Sequence, residues 1–157
     1  ISSTSGELVQ AMDAIVWAVN PRHDTLESLA RYLVRFAGDF FASTGVRLRL
    51  DVPPQLPEAV LSSELRHNLF LAAKEALHNA LQHSGGSEIQ LRISTAVRQL
   101  EIEVSDNGGG FTPNPARQGN GLVNMHHRLA ENGGECRITS TPGGTRVTFH
   151  IPLPSLV

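Results

Sequence analysis

The sequence has one cysteine, one lysine and no long apolar run, and the first and last of these close off classes of function. Cys136 alone can form neither an intrachain disulfide nor a cysteine-based zinc site, and a chain so poor in thiols leans toward the reducing cytosol. No stretch reaches the ~18 apolar residues that a membrane-spanning helix needs. No basic segment followed by an apolar one marks a secretory leader. Charged residues make up 18% of the chain, the formal net charge is −2, and the basic residues are Arg except for Lys74. That balance offers no surface for a nucleic-acid backbone or an anionic membrane. No internal repeat or low-complexity segment occurs. A G-x-x-x-x-G-K-[ST] run is missing, which excludes a P-loop, and a dinucleotide fingerprint fails because Asn124 stands where a third glycine belongs after Gly119-x-Gly121.

What is present fits one domain of 157 residues, 40% apolar, able to bury roughly two thirds of its surface. The chain begins at Ile1 rather than Met, and is expected to be a piece of something longer. Leu8, Met12, Ile15, Val16 and Val19 recur at helical spacing until Asn20-Pro21 stops them. Asp24 with Glu27 predicts a capping box, followed by a helix carrying Leu26, Leu29, Leu33, Phe36, Ala37 and Phe40. Alternation over Val46 to Val52 predicts a strand closed by Pro53-Pro54. A long helix over roughly 61–83 follows, with Glu75, Asn79 and His83 on one stripe at i, i+4 and i+8. Strands are predicted around Ile89–Ile93, Leu100–Val104, Cys136–Ile138 and Val147–Ile151, the last two joined by a turn at Pro142-Gly143-Gly144. One-sided alternation favours an antiparallel or mixed sheet with one wet face.

The organising stretch is Asp106-Asn107-Gly108-Gly109-Gly110-Phe111. Strand parity puts Asp106 on the apolar side with Leu100, Ile102 and Val104, where a polar group left unpaired costs about 2 to 7 kcal/mol. It therefore needs a partner, and the glycines behind it permit close backbone approach to a ligand. Further on, Gly119-Asn120-Gly121 precedes a helix with Leu122, Met125 and Leu129, and such a helix start can receive an anion.

Taken in order, a helix with Glu75 and Asn79, a strand ending in Asp106-x-Gly108-x-Gly110, a polar loop, Gly119-x-Gly121-Leu122 and Gly143-Gly144-Thr145 resemble the N box, the two glycine boxes and the closing threonine segment of the GHKL ATPase superfamily. The resemblance runs from about residue 46 to 153. Within that superfamily, Ile15 to Pro21 and Lys74-Glu75-Ala76-Leu77-His78-Asn79-Ala80-Leu81-Gln82-His83 look like the sensor histidine kinases that pair with LuxR-type response regulators. The resemblance implies the Bergerat fold, an α/β two-layer sandwich with a mixed, mostly antiparallel sheet covered by helices on one face. It implies that residues 1–20 end a dimerisation helix and that residues 21–157 are the catalytic, ATP-binding domain. The phosphoacceptor histidine is expected on an earlier helix, since His23 follows the helix-ending proline.

The resemblance implies the following roles by position, as expectations. Asp106 accepts from the adenine amine, and Gly108 and Gly110 give the base room. Asn79 ligates Mg²⁺ through its amide oxygen, a hard donor, and Glu75 is the general base or orients the attacking group. Gly119, Gly121 and Leu122 hold phosphate beneath a lid over 111–120. His83 stands beside the base and Thr145 lines the pocket near the long helix. The expected cofactors are ATP and Mg²⁺, and the expected partners are the chain's own dimerisation domain in a homodimer and a response regulator receiver domain. No nucleic acid and no direct membrane contact are expected. The implied setting is cytoplasmic, either free or as the cytoplasmic part of a membrane-bound sensor. One departure is Gln82, where many relatives carry Lys or Arg, which leaves phosphate to Mg²⁺, Arg117, Arg128 or a helix dipole. The rivals are an anti-sigma-factor serine kinase and a non-catalytic ATP-responsive interaction module.

Overall fold

In the computed structural model, residue 12 and residues 24–83, 85, 87–108 and 121–153 are described. They form α1 (Leu26–Phe41), β1 (Arg47–Asp51), α2 (Ser63–His83), β2 (Glu88–Ala96), β3 (Gln99–Asp106), α3 (Gly121–Ala130), β4 (Glu135–Thr141) and β5 (Gly144–Pro152). The helix expected over Leu8 to Val19 lies outside the described residues except for Met12, which is helical and exposed.

The start of α1 corrects the predicted capping box. Thr25, not Asp24, is the N-cap: its backbone is extended and its Oγ1 accepts from Ser28 N–H at 3.2 Å. Asp24 is held in an extended pairing instead, its carbonyl accepting from Leu61 N–H at 2.7 Å while Leu26 N–H donates to Ala59 O at 3.0 Å. A tertiary contact thus moved the cap by one residue. At α2 the serines do what their position predicts, Ser62 Oγ accepting from Leu65 N–H at 3.1 Å. Leu65, Leu69, Ala72, Ala73, Ala76, Leu77 and Ala80 are all buried on one face, and the alanines let the helix lie close to the sheet. On the flank toward α1, Phe70 meets Tyr32 and Phe36 edge-on at 5.0 and 5.2 Å, pairs worth about 0.5–1.5 kcal/mol each beyond burial.

The sheet runs β1-β2-β3-β5-β4, with β1 parallel to β2 and every other pair antiparallel. The parallel pair needs a crossover, and α2 supplies it. Alternation separates the faces. Ile89, Leu91, Ile93, Leu100, Ile102, Val104, Val147, Phe149 and Ile151 are buried in one core with the helices. The other face carries ion pairs: Arg146 to Glu103 at 3.2 Å, Arg92 to Asp51 at 3.3 Å and Arg49 to Glu88 at 3.5 Å. The Arg92–Asp51 and Arg49–Glu88 pairs are open to solvent and add little stability, commonly under about 1 kcal/mol each, whereas the Glu103 carboxylate is buried and held by Arg146. The α/β two-layer arrangement with a mixed sheet and helices on one face is the one expected. Cys136 sits in the core, where burial pushes its thiol up to about 11.

Candidate functional site

Register decides which residues share one end of the molecule. Ile89 pairs with Asp106, Ser105 with Arg146, and Thr141 with Gly144, so the start of β2, the end of β3, the start of β5 and the β4–β5 turn lie together. β2 begins five positions after α2 ends, which places the C-terminal half of α2, with Glu75 and Asn79, over this same end. α3 runs toward the opposite end, because its last turn leads into Glu135, and Glu135 pairs with His150 far from Gly144. Its ten residues span about 15 Å, so its N-terminus at Gly121 points back toward Asp106. The topology thus places a carboxylate, a polar helix stripe and a helix N-terminus toward one end of the sheet.

Asp106 is half-buried rather than sealed in the core, and two main-chain donors hold it. Its Oδ1 accepts from Gly108 N–H at 2.9 Å and from Thr145 N–H at 3.3 Å. Both bonds fall on one oxygen, so among the described residues Oδ2 is left with an open acceptor direction. A carboxylate fixed in this way reads an N–H donor on a ligand by position as well as by charge. Beside it, Thr145 is buried and its Oγ1 lies 3.3 Å from Ser140 Oγ. A cavity of about 370 Å³ opens at this end of β3 and the β4–β5 hairpin, reached by Asp106, Gly143, Gly144 and Thr145 and lined otherwise by Ser105, Thr139, Thr141 and Arg146, most of them on the ion-paired face of the sheet rather than the face under α2.

Two residues absent from the sequence-based site take part. A Cβ on Gly144 would stand 1.9 Å from the carbonyl oxygen of Asp106, and Gly144 has φ +144°, so only glycine fits where β5 starts against the end of β3. Asn107 binds the opposite neighbour: its Oδ1 accepts from Ser87 and Glu88 N–H, both at 3.0 Å. The Asp-Asn-Gly run carried a signal for Asn107, since asparagine side chains cap nearby backbone donors at turns. Nothing in the sequence says which strand Gly144 touches.

Of the other predicted residues, Glu75 and Asn79 are half-buried on α2, and among the described residues neither side chain has a hydrogen bond or ion pair. They are therefore available to a ligand. The structure does not bring them into contact with Asp106, and they do not line the 370 Å³ cavity. Gly108 is buried at the end of β3. Gly110, Gly119 and the 111–120 lid lie outside the described residues, as do the side chains of His83 and Leu122. Arg128, a candidate for phosphate, sits at the far end of α3, where its charge acts on His67. A larger groove of about 620 Å³ between α1 and residues 52–58 lies at the C-terminal end of β1, the sheet end away from Asp106.

The family described as histidine kinase-, DNA gyrase B-, and HSP90-like ATPase matches residues 65–155. The nitrate/nitrite sensor protein NarX of Escherichia coli (strain K12) is 34% identical over 111 residues, 69% of this chain and 18% of NarX. The sensor histidine kinase LiaS of Bacillus subtilis (strain 168) is 25% identical over 155 residues, 98% of this chain and 42% of LiaS. The chain thus spans less than half the length of either relative. The histidine kinase domain of the blue-light activated histidine kinase from Erythrobacter litoralis EL346 superimposes with a TM-score of 0.68 at 26% identity, over 80% of this chain and 61% of that one. With the two-layer fold, the anchored Asp106 at a sheet end and the match over most of α2 and the sheet, the chain belongs to the histidine kinase-, DNA gyrase B- and HSP90-like ATPase family and corresponds to the ATPase domain of sensor histidine kinases.

Proposed function

We propose that this chain binds Mg-ATP and is the catalytic part of a two-component sensor histidine kinase, with residues 1–20 ending a dimerisation helix and 21–157 forming the catalytic domain. The observation that carries the reading is the Asp106 carboxylate, fixed through Oδ1 by Gly108 and Thr145 with Oδ2 open. An adenine amine offers the N–H donor that Oδ2 can accept, and Gly108 and Gly110 leave room for the flat base. His83 and Thr145 flank it.

At the other end of the ligand, the N-terminus of α3 at Gly121 and Leu122 would receive phosphate together with Gly119, two positions earlier in the sequence. Asn79 fits a divalent cation of Mg²⁺ type: its amide oxygen is a hard donor with no protein partner among the described residues. An ion of this kind commonly keeps several waters and takes other ligands from substrate phosphates, so Asn79 would be a sufficient protein donor for it. Held by Asn79, such an ion would supply the charge neutralisation that Gln82 does not. Glu75, one turn before Asn79, accepts the proton from the attacking imidazole or orients it. The γ-phosphoryl passes to a histidine on the upstream dimerisation domain and then to an aspartate of a response regulator receiver domain. The similarity to LiaS, which runs through the first 45 residues as well, favours this over a serine kinase. A cytoplasmic setting follows from that partnership, and among the described residues no helix is long and apolar enough to cross a membrane.

The test is an ATP titration of the chain and of Asp106→Asn, with and without Mg²⁺. Asp106→Asn turns part of the acceptor into a donor facing another donor, and should weaken binding at least tenfold, the scale of a charged hydrogen bond lost. Equal affinity of the two proteins for ATP would sink the assignment.

A further inference from the structure

The last ladder pair of β2 and β3 is Ile89 with Asp106, and the chain beyond runs at once into glycine. A strand end followed by residues without side chains is prone to fray, and here the residue exposed to fraying is the one that reads the ligand. Asn107 closes that end. Its Oδ1 takes the N–H groups of both Ser87 and Glu88 at 3.0 Å, its Nδ2 donates to Ser87 Oγ at 3.2 Å, and its own N–H donates to Glu88 O at 3.3 Å. Ser87 also gives its carbonyl to Arg47 N–H at 2.9 Å. One side chain therefore ties the end of β3 to the starts of β1 and β2, four residues after the end of α2.

We propose that Asn107 is a positioning residue of the nucleotide site: it fixes Asp106 in register with the C-terminal half of α2, which carries Glu75 and Asn79. The inference rests on reading Asp106 as the base anchor. Asn107 is solvent-exposed, so water takes over its bonds when it is removed. Its loss therefore costs order at the strand end more than it costs the fold. Asp106 then samples positions in which Oδ1 no longer meets Gly108 and Thr145 N–H together, and the open acceptor direction of Oδ2 blurs with it. An aspartate in this place keeps the acceptor for both N–H groups, and the Ser87 hydroxyl can turn to donate to it.

The experiment titrates the 157-residue chain with adenosine, which carries no phosphate and isolates the base, and compares wild type, Asp106→Asn, Asn107→Ala and Asn107→Asp. Asn107→Ala should weaken adenosine about fivefold while keeping a cooperative melting transition, and Asn107→Asp should recover most of that loss. The amide signals of Gly108 and Thr145 should shift in Asn107→Ala and return in Asn107→Asp, a response that a general loss of stability would not produce. Wild-type affinity in Asn107→Ala together with weak binding in Asp106→Asn overturns the role of Asn107 and leaves the base site standing. Unchanged affinity in both removes the base site itself, and the inference with it. An Asn107→Asp variant no better than Asn107→Ala, or an Asn107→Ala chain that no longer folds, also overturns it, because the residue would then serve the fold rather than the site.

Discussion

Asp106 owes its orientation to two main-chain N–H groups on one side and to the absence of a side chain on the other. The second condition is the stricter. The carbonyl of Asp106 stands 1.9 Å from where a Cβ of residue 144 would be, and backbone cannot rotate away as the tip of a side chain can. Gly144→Ala must therefore part the start of β5 from the end of β3, which also pulls Thr145 N–H off Oδ1. We expect a loss of about 1–3 kcal/mol in urea unfolding, from the φ of +144° and the clash together. A fall in ATP affinity should accompany it. The neighbouring Gly143 makes the useful comparison, since a Cβ there meets only the Thr141 hydroxyl at 3.7 Å. Gly143→Ala should bind ATP as wild type does.

At the scale of the element, α2 does two jobs with different faces. Its alanine-rich side is core, and its stripe through Glu75 and Asn79 belongs to the proposed ligand. Its first turns carry His67, whose Nδ1 is buried without a hydrogen-bond partner among the described residues. Burial, helped by the charge of Arg128 on α3, lowers the pKa of His67 below the usual value. The sign follows: the unfolded chain takes up the proton first, so this contribution to stability is complete above the ordinary histidine value of about 6.5 and is lost as the pH falls through it. The melting temperature should accordingly drop between about pH 7 and about pH 5, and His67→Leu should flatten part of that drop. A slope identical to wild type would mean that His67 is solvated like any surface histidine. Because His67 stands twelve residues before Asn79, about 18 Å along the helix, the substitution should leave ATP binding intact.

At the scale of the whole molecule, the proposed reading gives this domain the phosphoryl donor site and places the acceptor on another domain. With the upstream helix restored, Glu75→Gln should leave the ATP Kd unchanged and slow phosphotransfer about a hundredfold or more, the range for loss of a general base. The 157-residue chain alone should bind ATP and take up no radiolabel on histidine, and a labelled histidine in it would show that the acceptor had been misplaced. Much of the fold is legible in the sequence. Period-two alternation marked four of the five strands through their buried rows and the fifth, β1, through its Arg-Leu alternation, while serine at 62 and the leucine and alanine spacing marked α2, because these are local consequences of a backbone repeat. The capping box at Asp24 misled because a pairing with Leu61, 37 positions away, outweighed a local cap. Asp106 declared itself by parity alone, as a charge on an apolar face. Its holders did not: Thr145 and Gly144 are nearly forty residues off in the chain and meet it only through the order β3-β5-β4. The sequence by itself determined the kinds of groups in the site and the elements that carry them, since both depend on residue type and short-range period. Only the tertiary structure decided which oxygen of Asp106 is bound and which is open, because that depends on strands brought side by side by burial of a shared core.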